Sequence, residues 1–365
     1  MPRERVLTVR DLNRALLARQ LLLRRARLAV PQAIERVGAL QAQWPPSPYI
    51  ALWTRVEGFT HGRLVRAVER RQVVKATLMR TTLHHITARD FLTYGGEIFR
   101  RRIAALERQL AQNSDDMNFD RLVRDLLTYT SERPRSRPEL LELLGQPRLV
   151  IDERRPWLVW HLLSARAGLV HAPPSSVWRQ NTAGVTFAPA HEWLGPWDGD
   201  ADAAVTHLVR RYLAAFGPAT RADASQWTGL PVSALDPGFA RLPLRRFRDE
   251  RGRELLDLPR APLPPAETDA PPRFLPMWDS VLLAHDDRSR ILPEPYRKAV
   301  IRRNGDVQRT FLVDGFVAGT WSMAGGRVAL EPFEPLSRDT RRRLEEEGEA
   351  LARFHAAAQP TSARE

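Results

Sequence analysis

The chain has 365 residues, no cysteine and a formal net charge of +13. Without cysteine, disulfides, thiol nucleophiles and thiolate metal sites are excluded. The positive charge favours a polyanionic partner, and we favour a nucleic acid over an anionic membrane. A GC-rich genome would explain why arginine replaces lysine, but not why basic residues outnumber acidic ones. No membrane-spanning run or signal-peptide core is present, so we expect a cytoplasmic, DNA-associated bacterial protein with no membrane partner.

Residues 1–117 are predicted to form a first unit of helices with an extended wing. Its predicted elements, in chain order, are a helix over residues 8–23 capped by Thr8 and Asp11, a helix from Pro31 to Gln41 and Gln43, a helix over 62–72, an extended segment Ala76–Ile86, and a helix from Thr87 to Gln112. Arg100, Arg101 and Arg102 on the last helix are predicted to form a solvated face.

Two further units repeat this order of helices, over residues 118–200 and 201–258. In the second unit the predicted elements are an amphipathic helix from Phe119, a helix between the Ser136–Glu139 capping box and Gly145, a helix from Pro156 to Gly168, and a hairpin with its tip at Asn181–Gly184. In the third unit they are a helix over 205–216, a short helix to Trp227 capped by Thr220 and Asp223, and a last short helix ending near Phe239. Three helices followed by a hairpin are typical of a winged helix, although trihelical cores also bind proteins.

The C-terminal part, residues 259–365, changes to a strand-like pattern. Residues 259–276 carry seven prolines and are predicted to be a linker or a segment wrapped over the surface. Three turn signals follow, at Asn304-Gly305, Asp314-Gly315 and Gly325-Gly326, with strands between them and a final helix from Ser337 to Ala358. We therefore predict an α+β protein, with three tandem winged helix-turn-helix units on an antiparallel meander or barrel-like scaffold.

Gln41 and Gln43 stand out at the end of the second predicted helix. Gln41 continues the apolar stripe set by Ile34 and Val37, so an amide occupies a position due for a core residue. If residues 41–44 are extended, the two glutamines face the same way and form an uncharged polar site. If they are helical, the glutamines instead cap backbone groups at a helix end. The residues alone leave both interpretations open.

Arg80, Thr82 and His84 alternate along the predicted extended segment, so they would share one face of a first wing. Such donors suit DNA phosphates, and an ordinary polar strand face is the equal alternative. His84 and His85 would point to opposite faces and could not share a metal ion. No glycine-rich phosphate loop, metal-ligand spacing or serine-hydrolase elbow is found, so we expect neither a metal nor a cofactor.

Five stretches together resemble the AlkZ-like winged-helix DNA glycosylases. They are residues 38–55 (GALQAQWPPSPYIALWTR), Arg80–His84, Tyr212–Asp223, Trp278–Arg290 and residues 313–321 (VDGFVAGTW). The resemblance implies three tandem winged helices in a C-shape on a β-barrel-like scaffold. It also implies removal of alkylated purines from duplex DNA by a Gln-x-Gln motif, which falls on Gln41 and Gln43. In the family, the branch with a second glutamine includes enzymes that unhook interstrand crosslinks.

The chemistry of two amides is compatible with that activity. An N7- or N3-alkylated purine already carries positive charge and leaves readily, so oriented amides that hold one water would suffice. Gln43 would position this water rather than deprotonate it, because an amide is not a base. We thus expect a monomeric, monofunctional glycosylase acting on duplex DNA with alkylated purines, in base-excision repair or self-resistance. The alternative is a non-catalytic winged-helix regulator.

Overall fold

The computed structural model describes residues 5–110, 118–145, 157–178, 184–197 and 199–358. The first segment contains β1 (Val6–Leu7), α1 (Val9–Arg19), α2 (Val30–Val37), β2 (Leu40–Gln41), α3 (Ser47–Arg55), α4 (His61–Glu69), β3 (Val73–Thr77), β4 (Leu83–Thr87), α5 (Ala88–Asp90) and α6 (Gly96–Leu110). A π-helical turn joins α5 to α6. The capping box of Thr8 with Asp11 is confirmed, and helix α3 was not predicted.

Two predictions for this segment are wrong. Helix α2 ends at Val37 rather than at the glutamine pair, because Gly38 turns the chain with a φ of +90°. Leu40 and Gln41 then form a strand, so the helix-end interpretation of the pair is also wrong. The extended segment Ala76–Ile86 is in fact two strands, β3 and β4. Arg80 lies in the turn between them with a φ of +52°, so it does not alternate with Thr82 and His84 along one strand face.

The second segment contains α7 (Phe119–Glu132), β5 (Arg135–Ser136), α8 (Arg137–Leu143), α9 (Leu158–Arg166), β6 (Leu169–Ala172), β7 (Thr186–Pro189) and α10 (Ala190–Leu194). The Ser136–Glu139 capping box is confirmed, and Gly145 follows α8 with a φ of +71°. Strands β6 and β7 pair antiparallel, as the predicted hairpin requires. Pro156 and most of the predicted hairpin tip, residues 181–183, lie outside the described residues.

The third segment contains α11 (Ala201–Phe216), α12 (Arg221–Thr228), α13 (Val232–Ala240), β8 (Arg245–Asp249) and β9 (Glu254–Asp257). Its three predicted helices are confirmed, including the capping box of Thr220 with Asp223. The β8–β9 hairpin was not predicted. Strand β1 adds to it in parallel, so the N-terminal end of the chain pairs with this third segment.

The C-terminal part contains β10 (Arg273–Leu275), α14 (Arg297–Val300), β11 (Thr310–Val313), β12 (Phe316–Ala324), β13 (Arg327–Pro332) and α15 (Arg338–Ala356). Its strands form an antiparallel sheet in the order β10-β11-β12-β13, which confirms the meander. The turns at Asp314-Gly315 and Gly325-Gly326 connect its strands, while Asn304-Gly305 closes a loop held by the Ile301–Val307 bridge. Because β10 and β13 do not pair, the sheet is open and the closed-barrel alternative is wrong.

Strands of the first two segments form one six-stranded sheet, in the order β2-β4-β3-β6-β7-β5. The junction is the pairing of Lys75 on β3 with His171 on β6. Strand β2 therefore lies at the edge of a continuous sheet, and this position holds Gln41. The predicted unit boundaries at residues 118, 201 and 259 stay a prediction.

Buried polar contacts tie helix α1 to the C-terminal half of the chain. Arg19 pairs with Asp257 at 2.7 Å, and both side chains are fully buried. Asn13 donates to the carbonyl oxygens of Arg290 and Gly315, each at 2.8 Å. Arg14 donates to the Thr268 carbonyl oxygen at 2.7 Å.

None of the described helices is long and apolar enough to span a bilayer.

A candidate active site around Gln41 and Gln43

Gln41 is the last residue of β2 and lies opposite His84 on β4. Only 6% of the surface of Gln41 is exposed to solvent. The Gln41 Oε1 accepts a hydrogen bond from the Arg80 guanidinium at 2.8 Å. Within the described chain its Nε2 has no hydrogen-bond partner, and this atom is accessible to solvent. The amide is thus fixed by its oxygen and presents its N–H groups.

Gln43 lies two residues further on and is exposed. The ladder of β2 continues past the strand, because the Ala42 amide donates to the Leu83 carbonyl oxygen at 2.7 Å. The Leu83 amide in turn donates to Gln43 Oε1 at 3.3 Å. Both glutamine oxygens therefore accept from the short segment 80–83. This brings the two side-chain oxygens to one edge of the sheet, while a joint site formed by the two amides stays a prediction.

Arg80 connects this edge to the third segment of the chain. Besides Gln41, its guanidinium donates to the Trp227 carbonyl oxygen at 2.6 Å, near the end of α12. The backbone there is tightly packed, since a Cβ on Gly229 would lie 2.9 Å from the Arg80 nitrogen. Burial lowers the pKa of Arg80 to about 10, so the side chain remains a cation at neutral pH. The end of α12 therefore fixes Arg80, and the Arg80 guanidinium in turn fixes the Gln41 side chain.

Thr82 and His84 bond back to their own hairpin. The Thr82 hydroxyl donates to the Met79 carbonyl oxygen at 3.1 Å, and His84 Nδ1 donates to the Thr82 carbonyl oxygen at 2.9 Å. His84 is buried, and burial together with the Arg80 charge lowers its pKa to about 3. It is therefore a neutral residue beneath the site. DNA binding by Arg80, Thr82 and His84 stays a prediction, and they do not form one row of donors.

Residues 277–280 clamp the chain on both sides of the glutamine pair. Before the pair, the Ser280 hydroxyl donates to the Ala39 carbonyl oxygen at 3.3 Å. After it, the Ser47 hydroxyl donates to the Met277 carbonyl oxygen at 2.8 Å. Asp279 forms a buried ion pair with Arg55 on α3 at 2.8 Å. In the sequence, Trp278–Arg290 is one of the stretches that resemble the AlkZ-like glycosylases. Nothing in its pattern indicated that this stretch supports the site.

The arrangement can orient small molecules through fixed amides but offers little proton transfer. Within the described chain, the side chains of the two glutamines bond to a guanidinium and a backbone amide, neither of which is a base. Among the described residues, no cluster of three histidine or acidic side chains could hold a metal ion. A site of this kind suits a reaction whose leaving group already departs readily.

Comparison with known proteins defines the class. The family model described as DNA glycosylase AlkZ-like matches residues 34–354, so this chain belongs to that family. The interstrand DNA cross-link repair glycosylase of Streptomyces sahachiroi is 26% identical over 239 residues, which is 60% of this chain and 61% of that protein. The structure of Streptomyces sahachiroi DNA glycosylase AlkZ matches with a TM-score of 0.78 and 21% identity, covering 97% of this chain and 98% of that one. This second likeness supports the shared fold.

Proposed function

We propose that the protein is a monofunctional DNA glycosylase. It hydrolyses the N-glycosidic bond of N7- or N3-alkylated purines in duplex DNA, with interstrand crosslinks as a further substrate class. The observation that carries the proposal is the pair of amides, Gln41 and Gln43, fixed at one sheet edge by the 80–83 segment. Family membership and the relative described as a cross-link repair glycosylase support it.

In the proposed reaction, a water oxygen bonds to the sugar C1′ as the C1′–N bond breaks. The alkylated base takes the bonding electron pair and leaves neutral, so it needs no protonation. The proton of the attacking water passes to solvent. The exposed Gln43 amide orients this water, while Gln41, anchored through its oxygen, donates from Nε2 into the same site.

We further propose that the three helix-and-hairpin segments act as winged-helix units on duplex DNA, and that a monomer is the active form. The support is the repeated order of helices followed by a hairpin, in α1–β4, α7–β7 and α11–β9. The net charge of +13 suits a DNA partner.

The direct test incubates the protein with duplex DNA carrying N7-methylguanine and measures release of the free base. We expect Gln43→Ala to lower single-turnover excision roughly 10²–10³-fold, the usual cost of losing a transition-state contact, while binding to lesion DNA stays close to wild type. Gln72→Ala is the matched control, because Gln72 is an exposed glutamine just before β3 and away from the pair.

Failure to release base from either N7-methylguanine or a crosslinked duplex would refute the proposal. Sequence-specific binding of undamaged DNA without base release would favour a non-catalytic regulator instead. Equal loss of folding and binding in Gln43→Ala would leave the glutamine a structural role.

A further inference from the structure

A groove runs between helix α6 and the turn that joins α12 to α13. Its volume is about 450 Å³. Its lining residues include Arg101 and Arg108 of α6, Gly229 and Pro231 of the turn, and Trp157. Arg80 also lines this α6 groove, so the groove adjoins the residue that holds Gln41.

The α6 groove is strongly basic. Arg80, Arg100, Arg101, Arg102 and Arg108 all line it, and none of its described lining residues is acidic. The prediction that residues 100–102 form a solvated face is wrong for Arg102, which is buried and donates to His161 Nδ1 at 2.8 Å. Glu97 neutralises part of the charge by pairing with Arg100 and Arg101. Two arginines with one carboxylate still leave a net positive charge there.

Arg101 and Arg108 have guanidinium N–H donors that are available to a ligand. Arg101 uses Nε for Glu97, and within the described chain its two terminal nitrogens make no hydrogen bond. Arg108 is exposed and forms no ion pair with any described residue. The two are seven residues apart, so they share a helix face and lie about 10 Å apart along the axis. Ala104 and Ala105 between them leave the floor of the groove open.

Trp157 adds a flat apolar surface to these cations. It is 44% exposed, one of few large apolar side chains in the described chain that face solvent. Its ring is nearly perpendicular to that of His161, with 5.2 Å between ring centres, so at least one face of the indole is not covered by His161. Arginines beside an exposed indole are the two elements of single-strand recognition, in which cations hold phosphates and a ring stacks on a base.

We propose that the α6 groove binds a DNA strand next to the lesion. Arg101 and Arg108 contact two of its phosphates, and Trp157 stacks on an unpaired base. This subsite rests on the proposed glycosylase function, and it explains how duplex could be opened beside Gln41 and Gln43. Stacking supplies part of what is lost when a base leaves the helix.

The test measures binding of the full-length protein to N7-methylguanine duplex over a range of salt concentrations. We expect Arg101→Ala with Arg108→Ala to weaken binding about tenfold and to reduce the slope of log K against log salt by about 1.8, the value for two phosphate contacts. Trp157→Ala should weaken binding about tenfold without changing the slope, because stacking releases no counterions. Trp157→Phe should restore most of the affinity.

The control is Arg338→Ala with Arg341→Ala, which removes the same charge from the exposed face of α15. If this control lowers the slope as much as the groove variant, general charge explains the effect and the subsite is refuted. Unchanged binding in the groove variants, with normal excision, refutes the subsite but leaves the glycosylase proposal intact. Absence of both excision and DNA binding in the wild type refutes both. Thermal unfolding of each variant shows that it is folded.

Discussion

At the scale of single residues, the Arg80–Gln41 hydrogen bond determines how the glutamine amide is presented. Local patterns were enough to single out Gln41 and Gln43, because an amide on an apolar stripe next to a proline cluster is visible in the sequence. They could not reveal the role of Arg80. That role depends on a left-handed turn made without glycine and on contacts with Gln41 and Trp227, which are 39 and 147 residues away.

We predict that Arg80→Lys lowers single-turnover excision about 10–100-fold, because losing a hydrogen bond to a charged group costs roughly 1.5–3 kcal/mol. Lysine keeps the charge but lacks the planar fork that reaches Gln41 and Trp227 together. The affinity for lesion DNA should change little. Thr81→Ala is the control, since Thr81 is exposed in the same turn. Weaker binding with an unchanged excision rate would assign Arg80 to a phosphate contact instead.

At the scale of helices and strands, short-range signals succeeded and long-range ones failed. Capping boxes at Thr8, Ser136 and Thr220 act over three residues and were predicted correctly. One local signal was missed at the end of α2, where Gly38 turns the chain with a φ of +90°. The β3–β4 turn was missed because it lacks the usual turn residues and rests on the α12 end.

Gly229→Ala tests whether the α12 end sets the position of Arg80. The new methyl group would meet the Arg80 backbone at 2.9 Å, and the φ of +75° adds a backbone cost of about 1–2 kcal/mol. Gly252→Ala is the matched control, because Gly252 has a φ of +77° and open space around it. We expect both variants to lose stability in chemical denaturation, but only Gly229→Ala to excise more slowly. Equal excision by the two would contradict this coupling.

At the scale of the whole molecule, buried histidines make stability depend on pH. Burial lowers the pKa of six histidines, with values of about 4 for His61 and His161, about 3 for His84 and His285, and well below the usual range for His85 and His171. The unfolded chain binds protons at these sites near pH 6.5, while the folded chain stays neutral. The free energy of unfolding is therefore highest above pH 6.5. It falls as the pH drops below that value, because protons then bind preferentially to the unfolded chain.

We predict that the free energy of unfolding falls as the pH is lowered from 6.5 towards 4, by about 1.4 kcal/mol per pH unit for each such histidine. Urea unfolding at pH 7.5, 6 and 5 measures the slope. His84→Gln should reduce this slope by about 1.4 kcal/mol per pH unit, because it removes one of these histidines. A stability that does not change between pH 7 and 5 would contradict the prediction.

The overall class of the molecule was predictable, whereas its sheet was not. The net charge and the repeated helical pattern both pointed to a DNA-binding protein built from similar units. The pairing of Lys75 with His171 joins two strands whose residues lie nearly one hundred positions apart. Strand pairing over such a separation has no local signal. Turn residues likewise do not specify which strands form the edges of the C-terminal sheet, so its open form was not predictable from them.

The long reach of helix α1 has a consequence for synthesis. Asn13 and Arg19 leave the ribosome early, but their buried partners Gly315 and Asp257 lie 302 and 238 residues downstream. At typical translation speeds that delay is roughly 10–60 s. Until then these polar groups must remain hydrated, so the helix cannot settle into its final place. Helix α1 can therefore complete its packing only after residues 257 and 315 have been made.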